Sequence, residues 1–113
     1  ESADDESALI AAYDAVIASL GDADASARAV LSDIRDQHVA HRDALGGAAD
    51  VEPPAASGGG LGPQLAVLVD RERRASRARI RASIDADADL ARTLTFIAAS
   101  EAAHVPALAE LQP

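Results

Sequence analysis

Apolar residues return at helical spacing in four stretches of the chain, and nowhere do they alternate in the two-residue rhythm of a half-buried strand. In the first stretch Leu9, Ile10, Tyr13, Val16, Ile17 and Leu20 form one stripe, which predicts a helix over about 5–20 ending at Gly21. Ala27, Leu31, Ile34, His38, His41 and Leu45 then follow at steps of 4, 3, 4, 3 and 4. This heptad seam predicts a second helix over about 23–45, capped by Asp22 or Asp24 and stopped at Gly46 and Gly47. Residues 46–62 are rich in Gly and Pro; Pro lacks a backbone donor and Gly loses the most entropy on ordering, so this is one long loop. A third helix is expected over about 63–84, with Pro63 in its first turn and Leu65, Leu68, Val69, Glu72, Ser76, Ile80 and Ile84 facing inward. The Asp run between 85 and 89 caps a fourth over about 88–111, whose inner positions are Leu90, Leu94, Ile97, Glu101, His104, Leu108 and Leu111. The expected fold is all-α.

The two halves of the chain repeat one another. Laid on residues 77–108 without gaps, residues 14–45 match at twelve of 32 positions, among them Asp22/Asp85, Asp24/Asp87, Leu31/Leu94, Ile34/Ile97, His41/His104 and Leu45/Leu108. These matches cluster at the turn and along the inner stripe, so the chain reads as a duplicated helical hairpin. Two hairpins bury each other's stripes only as an antiparallel four-helix bundle, here one domain over 1–113. The seventeen loop residues, at roughly 3.3 Å each, are enough for a crossover that brings the third helix back parallel to the second.

Depth in such a bundle follows from residue numbers, because positions equidistant from a hairpin turn lie at one height. Glu72 and Glu101 average to 86.5, inside the second turn, so these carboxylates are expected to face each other. The repeat offset of 63 puts Leu9 and His38 at the matching height in the first hairpin, with His41 and His104 one turn further along. The expected centre therefore holds His38, His41, Glu72, Glu101 and His104, with Tyr13 one turn from Leu9. Buried ionisable groups must satisfy one another or bind a metal, and imidazole with carboxylate suits Zn, Fe, Mn or Cu(II).

A Glu followed in the next helix by Glu-x-x-His, given twice in a duplicated hairpin with a long crossover, resembles the ferritin-like di-metal carboxylate bundles. Glu72 with Glu101-Ala102-Ala103-His104 matches that pattern fully, whereas Leu9 stands where the first Glu of the other copy belongs and His38-Val39-Ala40-His41 replaces its Glu-x-x-His. The resemblance spans about residues 7–111 and is closest to the Ala-rich, Arg-rich ferritin-like proteins of actinobacterial cell envelopes, many of them lipoproteins of unassigned function. It implies a divalent transition metal between the helices and a cell-envelope or secreted location. With Leu9 and His38 at two carboxylate positions, ferroxidase and storage chemistry are not carried over. A mononuclear or asymmetric dinuclear site rich in imidazole is expected instead, for which Zn or Cu(II) is the better match. The alternative is a non-catalytic structural or interaction domain whose cluster is a metal-free buried polar network.

Composition narrows the remaining classes. The net charge of −9, with all ten cations Arg, disfavours nucleic-acid binding through the average field. No stretch of 18 apolar residues is present, so direct membrane insertion is not expected. The absence of Cys excludes disulfides and thiolate sites. With Glu first and no Met, the chain is expected to begin after a removed segment, and a homodimer is compatible with this reading. Arg71, Arg73, Arg74, Arg77, Arg79 and Arg81 are read as a solvated face with local acidic partners, and Phe96 as a packing residue. Tyr13 is read as a core aromatic with its hydroxyl on a carboxylate. No nucleophile motif or phosphate-cradling loop is present.

Overall fold

Four α-helices carry the structure, a computed structural model that describes residues 2–47 and 60–111. They are α1 (Ser2–Ser19), α2 (Ala25–Ala44), α3 (Leu61–Ile84) and α4 (Ala88–Ala109). No strand occurs among the described residues. The helices lie where the apolar spacing put them, with shifted ends: α1 starts earlier than residue 5, and Pro63 sits in the first turn of α3 without opening it. Most of the expected 46–62 loop, residues 48–59, lies outside the described residues.

Local chemistry explains the boundaries. Asp87 caps α4, its side chain accepting from the Leu90 amide at 2.9 Å, as the Asp run predicts. Asp24 occupies the corresponding place before α2 but makes no side-chain cap bond; the turn Asp22–Asp24 is instead a single 3-10 turn. The end of α2 is closed by two backbone bonds at 3.0 Å, from the Gly47 amide to the Arg42 carbonyl and from the Gly46 amide to the Asp43 carbonyl. That closure puts Gly46 at φ 78°, a left-handed conformation that favours glycine. α4 continues through Pro106 to Ala109.

The short connections let α1 pack along α2 and α3 along α4. Across the two pairs, Ser19 near the end of α1 bonds Gln64 in the first turns of α3, whereas Arg79 near the end of α3 reaches Ser2 and Asp5 at the start of α1. The core joins Leu9, Tyr13 and Val16 of α1 to Leu31 and Ile34 of α2, Leu65 and Leu68 of α3, and Leu108 of α4. Ile10 of α1 and Leu94 and Ile97 of α4 are buried as well.

The inward stripe of α3 differs from the one expected. Ile80 and Ile84 are 52% and 76% exposed, and Arg79, assigned from sequence to the solvated face, is buried. Positions 79 and 80 point about 100° apart on a helix, so only one of them can face the core. The guanidinium takes that place because an acidic partner on α1 receives it. Leu90 in the first turn of α4 is also exposed, and so is Phe96, at 71%, because Leu94 and Ile97 on either side of it take the inner seam.

Candidate metal centre

All five groups assigned from sequence to the centre, His38, His41, Glu72, Glu101 and His104, are buried and converge between the helices. Each helix delivers its share from the face that its apolar stripe turns inward. On α2, His38 and His41 extend the seam of Leu31 and Ile34, and on α4, Glu101 and His104 extend that of Leu94 and Ile97.

The α1 contribution is different from the one expected. Leu9 is core packing, and the carboxylate comes from Glu6, one turn earlier and fully buried. Its Oε1 lies 2.8 Å from His38 Nδ1 and 3.3 Å from His41 Nδ1. Its Oε2 accepts from Arg79 Nη2 at 3.1 Å and from Nε at 3.3 Å. Arg79 also donates to Asp5 at 3.2 Å. Sequence reasoning missed Glu6 because the 63-residue offset pointed to Leu9. The signal was present: Glu6 and His41 have the same mean number, 23.5, as Leu9 and His38, so depth alone pairs them. Arg79 was legible in the same way, seven residues beyond Glu72 and thus two turns along the same face.

Glu72 and Glu101 do not meet directly as expected; His38 stands between them. Glu72 Oε2 lies 2.7 Å from His38 Nε2 and 3.0 Å from His104 Nδ1, and accepts from the Tyr13 hydroxyl at 2.5 Å. Tyr13 is thus the core aromatic with its hydroxyl on a carboxylate. Glu101 approaches the other side of the ring, 3.8 Å from His38 Nδ1, with Arg79 Nε at 3.9 Å. The Nε2 of His104 lies 2.7 Å from Gln37 Oε1, which would hold that ring with its Nδ1 toward Glu72.

Two ligand sets result, in each of which one oxygen or nitrogen atom per residue lies within 4.8 Å of the others. One is Glu6, His38, His41 and Glu101; the other is His38, Glu72 and His104. Either is able to hold a metal ion, by donor type and spacing.

The electrostatics follow from burial. Burial alone would lower the His38 pKa, but hydrogen bonds to Glu6 and Glu72 outweigh it and raise the ring to about 9. Burial would likewise raise Glu6 and Glu72, yet both are held below the usual carboxylate range, Glu6 by His38 and His41 and Glu72 by His104 and His38. Glu101 has no such donor. Burial first, and then the neighbouring Glu6, push it up to about 10, so it is a neutral acid at pH 7. Both of its oxygens, and Oε1 of Glu72, lack a hydrogen-bond donor.

No helix among the described residues is long and apolar enough to cross a membrane. Comparison with family models, curated proteins and solved structures returned no match.

Proposed function

We propose that this protein binds a divalent transition metal ion in the His/Glu centre of a ferritin-like bundle. One observation carries the reading: beside three imidazoles, the buried Oε1 of Glu72 and both oxygens of Glu101 receive no hydrogen bond, and Glu101 stays neutral there only by holding a proton that a bound cation would displace. Such atoms cost free energy in a metal-free protein, and a cation ligated there would satisfy them. Three carboxylates with three imidazoles are richer in nitrogen than the Glu-dominated ferritin-like pattern, and they suit Zn or Cu(II). Ferroxidase and iron-storage chemistry are therefore not assigned to this centre.

The ferritin-like topology is supported by the ends of the helices. Leu45 after α2 lines one cleft with Ser2, Ala82 and Asp85, whereas the start of α3 meets Ser19. Residues 45 and 61 thus lie at opposite ends of the bundle, as a long crossover between two antiparallel hairpins requires. The 63-residue internal match favours duplication of one hairpin.

A second reading rests on Arg79. Its guanidinium places a permanent positive charge on Glu6 within the first ligand set, and Glu6 and Glu72 then face Arg79 and the His38 imidazolium. That balance is what a metal-free structural network needs. Metal content of protein purified without chelator, then calorimetric titration with Zn, Cu and Fe, separates the two. Stoichiometric binding that is lost in both His41→Ala and Glu101→Ala supports the metal site; no binding at micromolar metal supports the network.

A further inference from the structure

Beyond the presence of a metal, the two ligand sets differ in one respect that fixes how they relate. Their only common member is His38, and their carboxylates face it at opposite ring nitrogens. Nδ1 faces Glu6 Oε1 at 2.8 Å and Glu101 Oε2 at 3.8 Å, while Nε2 faces Glu72 Oε2 at 2.7 Å. A ligating histidine ordinarily gives its second N–H to one carboxylate or carbonyl that merely orients it. Here each nitrogen faces a set that contains another imidazole, His41 on one side and His104 on the other, and each set contains an oxygen lacking a donor. The ring is wholly buried and is held by Tyr13, His41 and His104, with ring centroids 5.1–5.5 Å away.

Resting on the metal-binding reading above, we propose that His38 is an imidazolate bridge between two divalent metal ions. Its Nδ1 ligates an ion shared with Glu6, His41 and Glu101, and its Nε2 ligates an ion shared with Glu72 and His104. As the two metal–nitrogen bonds form, the N–H protons of His38 leave to solvent. Two ions are compatible with the charge present: Glu6, Glu72, Glu101 and the imidazolate carry four negative charges, which two divalent cations neutralise, while Arg79 is shared between Glu6 and the half-exposed Asp5. The bridge differs from one built on carboxylates, because a flat aromatic ring fixes its two lone pairs in one plane and on opposite sides.

Cu(II) titration of the full metal-free chain tests the bridge by stoichiometry and electron paramagnetic resonance. The expected result is two Cu(II) per chain. The signal that grows over the first equivalent then loses most of its intensity over the second, through exchange coupling across the ring. Zn(II) as the second ion should leave the signal at full intensity. In a Glu72→Gln/His104→Ala variant one ion should bind and its signal should persist. Two ions with undiminished, additive signals, or only one ion in the unaltered chain, would overturn the bridge and leave the metal-binding reading standing. No binding of any ion would overturn both.

Discussion

Replacing Arg79 with Met isolates the energetic role of the buried guanidinium. Met keeps most of the aliphatic volume of the Arg stem, so the change deletes charge and hydrogen bonds with little cavity. Four hydrogen bonds are lost: two to Glu6 Oε2, at 3.1 and 3.3 Å, one to Asp5 at 3.2 Å and a long one to Ser2 at 3.5 Å. The Asp5 side chain is more than half exposed, so solvent screens that bond and the cost lies with Glu6. Glu6 is fully buried and would keep its contacts to His38, His41 and the neutral Glu101. Breaking a buried pair from one side costs about 3–5 kcal/mol, and the remaining imidazole contacts place this case near about 3. A domain of this size has about 5–15 kcal/mol in total, so Arg79→Met should fold but be visibly weakened. Urea denaturation in chelator, followed by circular dichroism, should show the midpoint falling by about 2 M for a slope of about 1.5 kcal/mol/M. Adding Glu6→Gln should then cost less than it does alone, leaving a coupling of about 2 kcal/mol in the double-mutant cycle. A variant within about 0.5 kcal/mol of the parent, or strict additivity, would show that the guanidinium is solvated and that the buried pair does not exist.

Other outcomes follow from the same centre. In the metal-free protein, His38 at about 9 and Glu101 at about 10 hold protons that their unfolded counterparts, at 6.5 and 4.5, give up. Each proton held in excess by the native state lowers stability by about 1.4 kcal/mol per pH unit, so stability should fall from about pH 5, through Glu101, and more steeply from about pH 6.5 to pH 9, where His38 adds to it. Glu6 and Glu72, held low, act in the opposite sense: their contribution is present above about 4.5 and disappears as acid protonates them. Denaturation at a series of pH values should therefore show a maximum on the acid side of neutrality; a plateau from pH 5 to 9 would contradict the assignment. Tyr13, the only tyrosine, has its phenol pKa pushed well above 10 by burial and by the Glu72 carboxylate. Phenolate absorbance should thus appear only together with helix loss during alkaline titration, and its appearance in folded protein would place the hydroxyl in solvent. Gly46→Ala should destabilise the chain by about 1 kcal/mol, because φ 78° forces Ala into the left-handed region; thermal melting measures it, and an unchanged midpoint would show that the α2 end is not held in that turn.

Helix count and the five central groups were legible because both depend on periodicity, and the seams of α2 and α4 repeat with little interruption. Periodicity failed where polarity and burial part company. Ile80 looked like core and Arg79 like surface, since hydropathy carries no knowledge of a distant acid able to receive a guanidinium. Glu6 was hidden by the internal sequence match: the offset that pairs His41 with His104 sent the search on α1 to Leu9, although the buried carboxylate of that helix lies one turn earlier. Phe96 shows the converse limit, as an aromatic side chain in a helix has no obligation to face inward when its neighbours already fill the seam.

The reach of the Glu6–Arg79 pair, 73 residues along the chain, has a consequence for biosynthesis. While the ribosome is still making α4, Glu6, His38, Glu72 and Arg79 are already present without Glu101 and His104, and closing a dry interior around an incomplete set of charges is unfavourable. Nascent chains halted at the end of α3 should accordingly remain open, protease-sensitive and unable to retain an ion tightly. Folding and any metal acquisition would then wait for α4 to emerge, joined in one late step.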